Sequence, residues 1–109
     1  MSKYLDKELL KGFLDILILS LLSKKDMYAY EISKVIMEYS NSSIIIGEGT
    51  LYPALKRFCD NGYLEFYWIQ RDNNSVKRKY YRLTTKGIDY LTYKKNEYDK
   101  IKSLIENIV

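Results

Sequence analysis

No histidine occurs in this chain, and Cys59 is its only cysteine. Imidazole bases and the usual catalytic triads are thereby excluded. So are the common zinc sites, which draw on cysteine and histidine. The acidic residues are scattered, with no pair at the spacing of acid–base catalysis, and Gly47-Glu48-Gly49 lacks the pattern of a phosphate-binding loop. The residue inventory points away from an enzyme and implies no cofactor and no metal. A lone cysteine forms no intramolecular disulfide, which fits a reducing cytosol. Packing in or beside the core is the plain role for Cys59, and redox sensing is the weaker alternative.

The chemistry that remains is that of cations beside hydroxyls and rings. Formal net charge is +4, but its placement is uneven. Residues 49–86 carry Lys56, Arg57, Arg71, Lys77, Arg78, Lys79, Arg82 and Lys86 against Asp60, Glu65 and Asp72, a net of +5, which leaves −1 for the remainder. A basic half on a near-neutral body fits a polyanionic partner, and a solubilising surface is the alternative. Twelve tyrosines add rings with polar tips, which suit interfaces.

The elements that must position these groups are legible in the pattern of apolar residues. A chain of 109 residues, 47% hydrophobic and 29% charged, is sized for one globular domain. Met1 to Asp6 carries an acid where a secretory leader would be basic and then apolar, so a cytoplasmic location is expected. Leu9 to Leu22 reads as a first helix, apolar on all sides and interrupted by Lys11, Asp15 and Ser20. It is too short to span a bilayer, and its all-round apolarity calls for a cover such as a second subunit. Tyr28 to Tyr39 reads as a second helix with Tyr28, Ile32, Val35, Ile36 and Tyr39 on one face. Asn41-Ser42-Ser43 ends it, and the β-branched run Ile44-Ile45-Ile46 predicts a short strand.

A third helix is expected from Glu48 to the Asn61-Gly62 stop, with Leu51, Ala54, Leu55 and Phe58 as its core stripe and Pro53 near its start. Tyr63 to Arg71 and Val76 to Thr84 alternate as the two strands of a hairpin around Asp72-Asn73-Asn74-Ser75. Thr84 or Thr85 then caps a long last helix. Along it Leu91, Tyr98, Ile101, Ile105 and Ile108 form a near-heptad seam. The order gives a mainly α fold with a small β-hairpin (α+β): a winged helix-turn-helix DNA-binding unit over residues 1–86 and a C-terminal dimerisation helix over 87–109, one compact domain together.

Several segments resemble the PadR-like transcriptional regulators, specifically their short class with one long C-terminal helix. Lys11 to Leu19 resembles the family's first helix, and Tyr28-Ala29-Tyr30-Glu31-Ile32 its Tyr-Gly-Tyr-Glu-Ile signature with Ala29 replacing glycine. Glu48 to Arg57 is the most specific segment, and Lys77 to Gly87 resembles the wing strand and the start of the last helix. Asn73-Asn74-Ser75 stand where the family's wing usually has glycines. The resemblance implies a homodimeric repressor of a palindromic operator in double-stranded DNA. It also implies an aromatic ring, here Tyr98, at the dimer centre, where a short-class member uses tryptophan to stack planar ligands.

On this reading Thr50, Tyr52, Lys56 and Arg57 face a major groove, the alternative being a solvated helix face. Lys77, Arg78 and Lys79 reach phosphates or the minor groove, the alternative being charges that protect a strand edge. Tyr30 joins the contacts, as do Lys24 and Lys25 more weakly, while Tyr28 is divided between contact and core. Phe13, Leu14, Asp15, Leu91, Tyr98, Ile101 and Ile105 are candidates for the dimer interface and for an effector space that would take a small hydrophobic or planar aromatic compound. A filled, dry dimer core remains open for the same residues. The competing function is a winged-helix protein-interaction module that reads no specific DNA.

Overall fold

The computed structural model describes residues 3–70 and 76–109. Helix α1 spans Lys7–Leu22 and starts at Asp6, whose carboxylate accepts the Leu9 amide at 3.0 Å. Its inner face buries Leu14, Ile18, Leu19 and Leu22. Leu9 is half exposed, and Leu17 and Leu21 pack only against the margin of the core, so part of its apolar surface stays uncovered. A two-residue strand β1, Met27–Tyr28, leads directly into α2, Ala29–Tyr39. Helix α2 buries Ala29, Ile32 and Ile36. Tyr39, expected on that face, is 83% exposed because it sits in the last turn, past the edge of the core.

The expected strand at Ile44–Ile46 is not formed: these residues have no regular secondary structure and pair with no strand among the described residues. The Ile44 amide is taken by Ser40 Oγ at 3.0 Å, while Ile46 plugs into the core and Ile44 packs against it. Their β-branched side chains serve packing rather than a sheet ladder. The left-handed Asn41 (φ 52°) and Ser42 (φ 64°) turn the chain out of α2 just before.

Helix α3, Glu48–Asp60, buries Leu51, Ala54, Leu55 and Phe58 and stops at Asn61, with Gly62 at φ +80°. Pro53 lies in its second turn rather than near its start, where it removes one internal hydrogen bond. Both Pro53 and Gly49, whose carbonyl is left without its helical donor, are exposed, so that carbonyl is open to a donor from water. Strands β2 (Leu64–Gln70) and β3 (Lys77–Leu83) pair antiparallel, with Phe66 opposite Tyr81, Trp68 opposite Lys79 and Gln70 opposite Lys77. The turn expected at 72–75 lies outside the described residues. On its other edge β3 takes β1, Met27 opposite Tyr81 and Tyr28 opposite Tyr80, giving the sheet order β1-β3-β2.

Helix α4, Thr85–Ile108, begins under Thr84, whose hydroxyl accepts the Gly87 amide at 3.0 Å and donates to the Gly62 carbonyl at 2.6 Å. Its first turns pack into the body through Gly87 and Leu91, and the rest extends outward. Ile18, Leu19, Ile32, Leu55 and Phe58 form the fully enclosed centre where α1, α2 and α3 meet. Three helices, a short edge strand, a hairpin and a trailing helix constitute a winged helix. Among the described residues no helix is long and apolar enough to cross a membrane.

Candidate nucleic-acid interface

The buried stripe of α3 divides its outer residues between two flanks. Tyr52 lies on the flank toward the hairpin, where it lines a cleft with Trp68, Lys79 and Tyr81. Thr50 lies on the opposite flank, beside Lys7, Lys11 and Leu14 of α1. Arg57 shares that flank and bonds Asp15 of α1 at 3.0 Å. Lys56 is outermost and pairs with Asp60 one turn on at 2.8 Å. The four residues expected on one face are thus spread over an arc, because a core stripe of 51, 54, 55 and 58 leaves the remaining positions facing the hairpin, the solvent and α1 in turn.

The hairpin carries its cations differently. Arg82 is neutralised by Glu65 at 2.8 Å. Among the described residues no carboxylate pairs with Lys77, Arg78 or Lys79. Each of the last two lies on aromatic rings instead: Arg78 at 4.6 Å from the Tyr28 ring centre, and Lys79 at 3.9 Å from Phe66 and 6.0 Å from Trp68. Such contacts steady a cation without cancelling its charge. Strand alternation puts Lys77 and Lys79 on one face and Arg78 on the other. Tyr30, at the start of α2, is 65% exposed and stacks on Tyr28, with ring centres 6.4 Å apart. Tyr30, Tyr52 and Lys77 to Lys79 therefore border one cleft of about 330 Å³ between α2, α3 and the hairpin. Burial raises the Cys59 thiol, nearby Lys79 opposing it, so the thiolate that redox sensing needs is disfavoured.

On the side of α1 and α4 the predicted residues separate. Leu14 and Leu91 are buried in the chain's own core. Phe13 meets Tyr98 edge to face, ring centres 5.4 Å apart. Ile101 and Ile105 are exposed, as are Leu104 and Ile108 beside them. Asp15 joins three helices: one oxygen accepts Arg57 of α3, and the other accepts the Tyr90 hydroxyl of α4 at 3.1 Å. Tyr90 in turn stacks face to face on Tyr63, ring centres 4.1 Å apart.

Comparison with known proteins bears directly on this arrangement. The model of the Transcriptional regulator PadR-like family matches residues 18–93, which span the short edge strand, the cleft and the first turns of α4. The chain belongs to the PadR-like family. A transcriptional regulator from Clostridium thermocellum is 38% identical and superposes with a TM-score of 0.84, over 94% of this chain and 99% of its own. A PadR family transcription regulator from Clostridium difficile is 41% identical with a TM-score of 0.77, over 89% of this chain and 98% of its own. An uncharacterized protein of Lysinibacillus sphaericus is 37% identical over 91% of this chain and 90% of its own. As a PadR-like protein the chain is a DNA-binding transcriptional regulator. Within the PadR-like frame, Trp68, Phe66 and Tyr90 were missed by sequence reasoning. For the first two a signal existed: large rings alternating along a strand opposite a basic one.

Proposed function

We propose that this chain acts as a homodimeric repressor of a palindromic operator, released by a small hydrophobic or planar aromatic effector. The observation that carries the reading is the division of charge. Lys56, Arg57 and Arg82 each hold a carboxylate, whereas Lys77, Arg78 and Lys79 border the cleft with none among the described residues. Cations left unneutralised beside a protruding helix are what phosphate contact requires. Thr50 and Tyr52 add polar side chains on the exposed flanks of α3. Ile101, Leu104, Ile105 and Ile108 form an exposed apolar stripe on α4, and the outer side of α1 is only partly covered; both support association of two copies through α1 and α4. Two copies would then present two α3 helices to two half-sites. The Phe13–Tyr98 pair, next to that stripe, supports an aromatic-lined space for the effector near the dimer axis.

The test is competition. A labelled duplex carrying an inverted repeat from the gene's own promoter should be retained against a large excess of scrambled duplex, and lost as salt rises. Equal competition by the scrambled duplex refutes specific readout.

A further inference from the structure

A helix in a major groove and a wing in the neighbouring minor groove are separated by one sugar-phosphate strand. The gap between α3 and the hairpin must therefore straddle that strand. Here the gap is the cleft bounded by Tyr52 on one side and by Trp68, Lys77 and Lys79 on the other. Lys77 and Lys79 can neutralise phosphates, but Trp68 carries no charge and is 58% exposed. It stands beside Phe66, 47% exposed, and Lys79 lies over both rings. An aromatic surface of this size, placed in a cationic cleft, matches a partner with alternating anionic and apolar parts. The phosphates and deoxyribose faces of a DNA strand alternate in that way.

We propose that Trp68 is a DNA-strand contact: its indole packs on deoxyribose of the duplex strand passing between α3 and the hairpin, while Lys77 and Lys79 hold the flanking phosphates. The proposal rests on the DNA-binding reading and adds to it a contact that is aromatic and largely independent of salt. Lys79 serves both parts, since its ammonium rests on the Phe66 ring at 3.9 Å, a contact that leaves its charge uncancelled for a phosphate.

Trp68 is the only tryptophan of the chain, so the unmodified protein reports on it. The protein is titrated with a labelled, mixed-sequence duplex a few helical turns long at low salt. Label anisotropy reads binding; Trp68 emission and its quenching by acrylamide read the indole. Both Trp68 signals should change in step with anisotropy, acrylamide access falling several-fold, and should revert when salt releases the duplex. Trp68→Ala should weaken duplex binding about five- to tenfold with an unchanged salt slope, while Lys77→Ala should lower the slope by about one. Duplex binding that leaves emission, acrylamide access and Trp68→Ala affinity unaltered overturns the proposal. A stronger Trp68 response to single-stranded DNA of the same length overturns it too, in favour of base stacking. Absence of any anisotropy change removes the DNA-binding reading itself, and the proposal with it.

Discussion

Asp15 is the residue on which three helices depend. It sits in an otherwise apolar stretch of α1, and the structure gives its two oxygens separate duties, one to Arg57 and one to Tyr90. Burial, followed by the neighbouring Asp15 charge and their hydrogen bond, pushes the Tyr90 hydroxyl up to about 12. The folded state therefore holds the Tyr90 proton more tightly than the unfolded chain, whose tyrosines titrate near ~10. That stability is fully present below the unfolded value and is lost as pH rises from there to about 12. Urea unfolding across this range should show a steeper alkaline loss for the native protein than for Tyr90→Phe. Equal slopes would show that Tyr90 does not carry the linkage. This cluster was not legible in the sequence, because its members are 42 and 75 residues from Asp15 and only the tertiary fold joins them. Arg57 illustrates the same limit: its position on α3 was readable, but its carboxylate partner was not.

At the level of elements, the passage from β3 into α4 is the tightest point of the fold. Thr84 caps α4 and bonds back to the turn after α3, and the Thr84 amide donates to the Tyr63 carbonyl at 3.0 Å. A Cβ at Gly87 would stand 2.1 Å from that same carbonyl, on backbone that cannot move aside. Gly87→Ala should destabilise the protein by about 1–3 kcal/mol or more through overpacking. Thr84→Ala should cost about 1–2 kcal/mol through loss of the cap. Thermal unfolding monitored by circular dichroism checks both, and a melting temperature unchanged in either variant contradicts this view of the junction. The helices and the hairpin were legible because their apolar residues recur with the right period; in α1 to α3 these residues largely bury where that period says, whereas Phe66 and Trp68 stay exposed on β2. Two residues of β1 are too few for any period, and Ile44–Ile46 carry a strand's composition without a strand's partner. Pattern alone cannot decide which short segment wins the free edge of β3.

At the scale of the whole molecule, the chain presents two unlike surfaces: a basic cleft lined with aromatic rings, and an apolar stripe along the outer half of α4. The seam on α4 was readable as spacing, yet Leu91 turned inward because the first turns of α4 close the core before the helix leaves it. Ile101→Asp, which places a charge on the exposed stripe, should shift the protein from dimer to monomer at micromolar concentration while its circular dichroism is largely retained. Sedimentation of an unaltered dimer would remove that stripe from the interface. The cleft itself was half legible. Lys77 to Lys79 and Tyr52 announced themselves by type and position, whereas the lack of a carboxylate partner for these three cations among the described residues depends on where the tertiary fold puts the acids.

The most direct test of the account is the salt dependence of duplex binding by the native protein and by the double variant Lys77→Ala/Lys79→Ala. Each lost phosphate contact removes about 0.9 from the slope of log affinity against log salt. The account predicts tight binding at low salt by the native protein and a slope smaller by about two in the double variant, with its fold intact. A slope and affinity unchanged by removing both lysines would contradict the assignment of this cleft to DNA.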